Sequence, residues 1–339
     1  MQIEVDILEN EIFENYPEVL EILLRDHTTQ KNIFWATDNY QDLGQPYQFI
    51  SPILPELITG TNGHIIMPRV KKDKDLQQSR AKDMAEVFTP SWICNAQNNL
   101  IDSAWFDREN VFNTEVFNSD GTRTWEVNNE NIIFNEPKSW KSYVRDTRLE
   151  MACGEAPYLT SRYDTTTGEF IPVERRIGLL DRKLRVINEN VDDSGEWLEA
   201  AQTAYKNIYA FEWQGDSLLL AREAMLITFI ENYTFKFGKE PLLKSIQYIA
   251  YIISWNVWQM DGLKGVVPHS CYSKIIEDSL NFFEEPKKII VECEGCSKDN
   301  IHKHNGIYCL IKDWSNKDAS TEKKGRKIKF IDLLNKNKK

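Results

Sequence analysis

The sequence predicts an α/β protein built on a doubly wound sheet, and three segments carry this prediction. Residues Val144 to Glu150 are expected to form a first strand that runs into a small-residue turn, and Tyr209 to Glu212 a second strand. The apolar run from Ile249 to Ile253 is expected to form a buried central strand. Short apolar runs that alternate with amphipathic helical stretches are typical of parallel sheets covered on both faces.

The segment before the first strand is expected to begin with a helical or mixed region over residues 1–85. Residues Tyr16 to Leu24 place apolar side chains at helical spacing. Thr89 and Pro90 are expected to open the next helix, with Thr89 as the N-cap and Pro90 at the first helical position. Residues 107–140 are rich in Asn, Asp and Trp and indicate short strands and turns.

A long helix is expected after the second strand, with Asp216 as its cap. Its apolar residues recur at a spacing that favours burial: Leu218, Leu219, Leu220, Met225, Leu226, Phe229, Ile230 and Tyr233. From Pro286 onward the composition shifts to Cys, His and Lys. The predicted units are an N-terminal extension (1–85), a core (86–285, with an insertion at about 160–205) and a C-terminal module (286–339).

Bulk properties predict a cytoplasmic protein. The 339 residues contain no run of eighteen apolar residues, so no membrane span is expected. The N-terminus lacks the basic and apolar regions of a signal peptide, and six cysteines in a chain of this length do not indicate a disulfide framework. The net charge of −11 argues against a dedicated nucleic-acid coat, because phosphate neutralisation supplies most non-specific affinity.

Basic residues nevertheless cluster in three places. For two of the clusters, a local DNA-binding surface and a solvated face are equally compatible with the sequence. These are Arg69, Lys71, Lys72, Lys74, Arg80 and Lys82, and further on Lys323, Lys324, Arg326, Lys327 and Lys329. The third runs from Arg175 to Arg185 within the insertion. It is interpreted as a contact to a phosphate backbone, with a solvated helix face as the alternative.

Two short segments suggest a family. Glu86 to Pro90 precedes, by about sixty residues, the segment Leu149 to Leu159, which reads as a strand end, a tight turn and a helix start. Such a turn lets the backbone approach a ligand closely. In this order the segments resemble the cofactor-binding segments of amino-methylating, adenine-specific DNA methyltransferases. Over about residues 30–330 the chain also resembles the compact methylation subunits of bacterial restriction systems.

The resemblance implies a class I methyltransferase-like fold and S-adenosylmethionine as cofactor. It places the turn Ala152, Cys153 and Gly154 under the methionine moiety, where the family commonly reads Asp-Pro-Ala-Cys-Gly-small-Gly. Here Glu150 stands for the Asp and Ala156 for the second Gly. The upstream residues that would pack against the cofactor are Phe88, Thr89 and Pro90.

Glu212 is assigned to the ribose of the cofactor. An acid at the end of the second strand can accept both ribose hydroxyls, as in dinucleotide folds. Phe211 and Glu212, followed by Ala221 and Arg222, resemble the family's Gly-x-Glu…Ala-Arg stretch.

The family's catalytic tetrapeptide, Asn-Pro-Pro-Tyr or a close variant, has no counterpart here. At the expected place the chain reads Ser254 to Gly262. Methylation of an exocyclic amine needs acceptors for its hydrogens and a ring that stacks on an extruded base. Asn256 or Asp261 is expected to accept from the amine, and Trp258 or Trp255 to stack on the base, with Asn256 and Trp258 preferred. The alternative is a degenerate loop in which the tryptophans are core residues.

The resemblance implies methylation of an exocyclic amine in double-stranded DNA, at adenine N6, within a restriction-modification or mobile-element system. A separate specificity or nuclease subunit is an expected partner. The first alternative is a catalytically degenerate protein on the same fold that binds DNA or protein in phage defence or counter-defence. Methylation of RNA or protein is the second alternative.

The C-terminal cysteines and histidines predict a structural zinc site. Two cysteines two positions apart, followed by a His and a Cys, suit tetrahedral zinc. The predicted ligands are Cys293, Cys296, His304 and Cys309, with His302 as the competitor of His304. Gly295 and Gly306 are expected to permit the tight turns of such a site. Cys94, Cys153 and Cys271 are interpreted as ordinary thiols.

Overall fold

A computed structural model describes residues 9–72, 89–278, 287–315 and 325–334. The helices are α1 Glu9–Asn15, α2 Pro17–Leu24, α3 Pro55–Ile58, α4 Ser91–Phe106, α5 Trp140–Arg145, α6 Leu179–Asn190, α7 Ser194–Lys206, α8 Gly215–Phe237, α9 Leu243–Asn256 and α10 Glu294–Ser297. The strands are β1 Asn113–Phe117, β2 Arg123–Val127, β3 Arg148–Met151, β4 Ile208–Glu212, β5 Val257–Gln259, β6 Lys274–Asp278, β7 Lys287–Val291, β8 Leu310–Asp313 and β9 Arg326–Lys329. The chain is therefore a mixed α/β protein, as the sequence predicts.

A three-stranded parallel sheet in the order β3-β4-β5 forms the centre. Ile208 and Ala210 of β4 face a large core formed with the helices, because side chains alternate between the faces of a strand. Tyr209 and Phe211 face a second, smaller core, which the C-terminal segment covers. The other three sheets described are antiparallel pairs: β1-β2, β6-β7 and β8-β9.

Two of the three predicted strands are found, and the third prediction is wrong. β4 matches the predicted segment, and β3 begins at Arg148, after the end of α5. The run from Ile249 to Ile253 lies inside the 14-residue helix α9, and the strand that follows is Val257–Gln259. A short apolar run does not distinguish a buried helix from a buried strand, and here the run belongs to a longer segment that buries most of one side.

The expected helix starts differ by one or two residues from those found. Pro90, rather than Thr89, occupies the N-cap of α4. Gln214 occupies the N-cap of α8, while Asp216 lies in its first turn and accepts a hydrogen bond from the Tyr40 hydroxyl at 2.7 Å. Such shifts are common at helix ends. Of the helices that the structure describes, none is both long and apolar enough to cross a bilayer.

The N-terminal segment is part of the main core. Leu20 and Leu23 of α2 are fully buried in the cluster that also contains the buried side chains of α8 and α9. Arg222 of α8, itself fully buried, donates to the carbonyl oxygens of Leu23 and, at 3.1 Å, of Arg25. Its Nε donates to the carbonyl of Val257 at 2.8 Å. One guanidinium therefore joins the N-terminal segment to the central sheet.

Candidate metal centre and strand-end site

Four side chains near the C-terminus converge on one point. They are Cys271, Cys293, Cys296 and His304, and their Sγ and Nδ1 atoms all lie within 4.8 Å of one another. Cys271 precedes β6 and Cys293 follows β7, so the hairpin brings residues distant in sequence to a common base. Three thiolates and one imidazole are a ligand set that zinc accepts in structural sites.

The distances match a tetrahedral zinc site. The Nδ1 atom of His304 lies 3.5 Å from Sγ of Cys271, 3.7 Å from Sγ of Cys293 and 3.6 Å from Sγ of Cys296. Bonds of about 2.3 Å to sulfur and about 2.0 Å to nitrogen, at the tetrahedral angle, place these atoms about 3.5 Å apart. The residues present therefore fit a Cys₃His zinc centre.

The structure changes one predicted ligand. Cys309 is fully buried in the second core, beside Phe211 and Trp258, and its Sγ contacts the carbonyl oxygen of Gln259 at 3.4 Å. Cys271, interpreted from sequence as an ordinary thiol, takes its place in the cluster. The other three predicted ligands are brought together, and His302 is exposed outside the cluster.

Two glycines permit this cluster by leaving room for it. A Cβ on Gly295 would lie 2.6 Å from Cγ of His304, and one on Gly306 would lie 3.0 Å from Sγ of Cys271. Since contacts below 3.0 Å require something to move, the room beside His304 depends on Gly295. Neither glycine has a positive φ, so their role is close approach rather than an unusual turn.

The thiols of the metal-free cluster differ in acidity. Burial raises the pKa of Cys271 to about 12, and the neighbouring Cys296 and Cys293 add to the effect. Burial also acts to raise the pKa of Cys293, but the backbone N–H of Asn305 and the groups around it outweigh burial and lower the pKa to about 6. One thiolate therefore forms readily, and further thiolates need a cation to balance them.

A second candidate site lies where β3 and β4 end. The Gly154 N–H donates to Oε2 of Glu212 at 2.8 Å, and the Cys153 N–H donates to the carbonyl of Phe211 at 3.0 Å. Oε1 of Glu212 accepts from the N–H groups of Trp213 at 2.8 Å and Gln214 at 3.2 Å. The structure thus brings together the turn and the acid that the sequence singled out.

The backbone of this turn is strained. Ala152 has a φ of +53° and Ala156 a φ of +59°, in the left-handed region that favours glycine. Alanine in that region costs about 1–2 kcal/mol. Strain of this kind concentrates at ligand sites, where the surrounding structure holds it in place.

Two carboxyl groups lie close together beneath the turn. Burial raises the pKa of Glu150 well above its usual value, and the nearby charge of Glu212 adds to this, against the N–H groups of Tyr158 and Leu159. Oε2 of Glu150 is buried with no hydrogen-bond partner in the described structure. Burial also raises the pKa of Glu212, which the Gly154 N–H and its neighbours oppose.

A neighbouring acid, not predicted from sequence, fixes the turn to the N-terminal segment. Glu155 is buried and accepts from the Arg69 N–H at 2.7 Å and from the Tyr163 hydroxyl at 2.6 Å. Of the upstream residues predicted to pack on a cofactor, Thr89 accepts through its carbonyl from the Thr165 hydroxyl at 3.1 Å. Phe88 lies outside the described residues.

The residues predicted for catalysis are packed into the protein instead of lying on an open loop. Asn256 ends α9 with no exposure, donating to the carbonyls of Tyr205 and Ile208 at 3.0 Å each and accepting from Trp314 Nε1 at 2.8 Å. Each of its polar atoms is therefore engaged within the fold.

Trp258 and Asp261 are also buried. Trp258 lies in β5 and packs against the rings of Phe211 and Phe330, with its Nε1 3.2 Å from the Met260 sulfur. Asp261 accepts from the backbone N–H groups of Leu263 and Lys264, at 3.1 and 3.2 Å, and pairs with the Lys264 ammonium. The expected loop is absent from this place because β5 follows α9 directly.

The basic residues of the insertion were interpreted as a DNA contact, and for three of them this is wrong. Arg182 is 1% exposed and donates to Asp102 at 2.6 Å and to two asparagine side chains. Lys183 donates to the carbonyls of Val144 and Asp146, and Arg176 pairs with Glu231 at 2.6 Å. Arg182 and Lys183 lie in α6 and Arg176 just before it, and all three are buried with partners inside the fold, so none of them is available to contact DNA.

The sequence left the role of two basic clusters open, and the structure describes only part of each. The described residues are Arg69, Lys71, Lys72, Arg326, Lys327 and Lys329, and those outside the described residues are Lys74, Arg80, Lys82, Lys323 and Lys324.

Comparisons of the chain with family models, with curated proteins and with solved structures found no match.

Proposed function

We propose that this protein binds S-adenosylmethionine where β3 and β4 end and methylates an exocyclic amine of DNA, at adenine N6. The hydrogen bond between Gly154 and Glu212 is the observation that carries the proposal. It joins, across neighbouring parallel strands, the two segments whose sequences resemble the cofactor-binding parts of adenine-specific DNA methyltransferases.

The strand-end residues fit such a cofactor. A carboxylate offers about four acceptor positions. In Glu212 three of them accept from the N–H groups of Gly154, Trp213 and Gln214, so one position remains for a further donor such as a hydroxyl. A Cβ on Gly154 would meet no atom within 4 Å, so the turn has open space beside it. The left-handed backbone of Ala152 and Ala156 is the kind of strain that ligand sites retain.

The proposal gives each part of the site a role. Glu212 would accept from the ribose hydroxyls, and the turn around Gly154 would receive the methionine moiety, with Glu150, Thr89 and Pro90 beside it. When bound, the cofactor supplies an electrophilic methyl group. The three-stranded parallel sheet would then be part of a class I methyltransferase-like sheet, and zinc would staple the C-terminal module.

The acceptor side of the reaction needs residues other than those predicted. Asn256 and Trp258 are held by internal contacts, which favours a second candidate function. In that alternative the chain retains the cofactor site but is catalytically degenerate, and it acts as a DNA- or protein-binding component in phage defence or counter-defence. A separate specificity or nuclease subunit fits either candidate as partner.

Titration calorimetry with S-adenosylmethionine tests the cofactor site. Micromolar binding by the wild type, its loss in Glu212→Ala and its retention in the exposed control Glu174→Ala would support the proposal. No binding by the wild type would overturn it. Transfer of tritiated methyl groups to unmethylated plasmid DNA then separates the two candidates, because binding without transfer favours the degenerate protein.

A further inference from the structure

The β8-β9 hairpin carries three lysines on one face. Lys312 and Lys327 are directly opposite each other, and Lys329 lies two positions further along β9. Because side chains alternate along a strand, these three share a face, while Ile311 and Ile328 point to the second core. We call the surface formed by Lys312, Lys327 and Lys329 the lysine face.

The charges on the lysine face have no acidic partner in the part of the chain that the structure describes. Like charges directly opposite on neighbouring strands are destabilising, and Lys312 and Lys327 form such a pair. Lys312 is 5% exposed, and its Nζ donates to the Tyr251 hydroxyl at 2.9 Å, not to a carboxylate. An acidic chain that concentrates unpaired cations at one place gains little stability from the arrangement.

Aromatic rings support these lysines. Nζ of Lys312 lies 4.5 Å from the ring centre of Trp314 and 4.9 Å from that of Tyr251. Nζ of Lys327 lies 5.3 Å from the Trp255 ring, and Nζ of Lys329 lies 5.4 Å from the Tyr308 ring. Tyr251, Trp314 and Tyr308 are half-buried, so the lysine face combines exposed cations with accessible aromatic surface.

A half-buried histidine lies beneath the same face and is surrounded by basic residues. His27 stacks on Trp255, with ring centres 3.9 Å apart, and its Nε2 contacts the Ser254 hydroxyl at 2.9 Å. Burial, and after it the charges of Arg222, Arg25, Lys327 and Lys312, together lower the pKa of His27 to about 3. The lowered pKa of His27 thus reflects an excess of positive charge contributed by several elements.

We propose that the lysine face binds the phosphate backbone of double-stranded DNA. Lys327 and Lys329 are exposed and lie about 7 Å apart along the strand, so both can reach phosphates of one DNA strand. Lys312 stays below them and adds to the attraction. This inference rests on the proposed function only in taking DNA as the ligand, because it requires neither cofactor binding nor methyl transfer.

Fluorescence anisotropy with a labelled duplex of about 25 base pairs, without cofactor and at 50–200 mM salt, tests the proposal. In the full-length, zinc-loaded protein, Lys327→Gln with Lys329→Gln is expected to weaken binding. The slope of log K against log salt should fall by about two, since each phosphate contact contributes about 0.9. The matched control is Lys239→Gln with Lys244→Gln, two exposed lysines elsewhere.

Wild-type binding with no loss in the lysine-face variant would overturn the proposal, as would absence of wild-type binding or an equal loss in the control. Preference for an RNA duplex of equal length over DNA would also overturn it. Circular dichroism and zinc content check that each variant is folded. A negative calorimetric titration with S-adenosylmethionine would refute the cofactor site and leave this result unchanged.

Discussion

Gly295 lies against His304 so closely that a single added methyl group would meet the imidazole at 2.6 Å from Cγ. Gly295 also donates its N–H to the carbonyl of Lys303 at 3.0 Å, the residue before the histidine ligand. Gly295 therefore joins the short helix α10 to the loop that carries His304. The position of the imidazole depends on that contact.

Gly295→Ala is expected to weaken zinc binding by about 10–100-fold, the usual effect of disturbing a supporting contact around a metal ligand. Competition with a chromogenic chelator measures the affinity. Ser297→Ala, an exposed change one residue beyond Cys296, is the control. Equal affinities for the two variants would show that the room beside Gly295 does not control the site.

Cys271→Ala is expected to abolish stoichiometric zinc binding, whereas Cys309→Ala is expected to retain one zinc per chain. Cys271 belongs to the four-residue cluster, and Cys309 is a core thiol 3.4 Å from the Gln259 carbonyl. Elemental analysis of the purified variants gives the zinc content. If Cys309→Ala lost its zinc and Cys271→Ala kept it, the ligand set predicted from sequence would be supported instead.

Glu150→Gln is expected to flatten the dependence of stability on pH. The pKa of Glu150 is raised in the folded state, chiefly by burial, so at pH values between the unfolded and the folded pKa the native protein holds a proton that the unfolded chain has released. The resulting stability is fully present below the unfolded pKa of about 4.3 and is lost as pH rises through the folded pKa. The amide does not titrate.

Urea unfolding of this variant between pH 5 and pH 8 gives the measurement, with the exposed Glu174→Gln as control. The wild type and the control should lose stability over this range more steeply than Glu150→Gln. Parallel curves for all three proteins would contradict a buried, protonated Glu150.

Arg182→Ala is expected to lower the free energy of unfolding by about 3–5 kcal/mol, because it removes the 2.6 Å ion pair of the buried Asp102 carboxylate and leaves only the more distant Arg148, at 3.7 Å. Arg175→Ala, at an exposed position of the same basic segment, should change it by less than about 0.5 kcal/mol. Denaturant titrations of both variants provide the values. A small effect at both positions would revive the interpretation of this segment as a surface for DNA.

The sequence predicts the parts of this fold that depend on local chemistry. The strand ending at Glu212 and the turn at Gly154 carry turn residues and a charged strand end, and both are found as expected. The strand prediction for Ile249 to Ile253 was wrong because these five apolar residues alone do not distinguish a strand from part of the longer helix that contains them. Cys271 was missed because its proximity to Cys293 depends on the pairing of β6 with β7.

The hydrogen bonds of the buried Arg222 limit where this chain can be cut into fragments. Its guanidinium donates to carbonyl oxygens on both sides of residue 86, those of Leu23 and Arg25 before it and those of Ser254 and Val257 after it. A fragment that starts at residue 86 would keep the buried cation and lose half of its acceptors. A segment from another protein that replaced the first 85 residues would therefore have to place two backbone carbonyl oxygens within reach of Arg222.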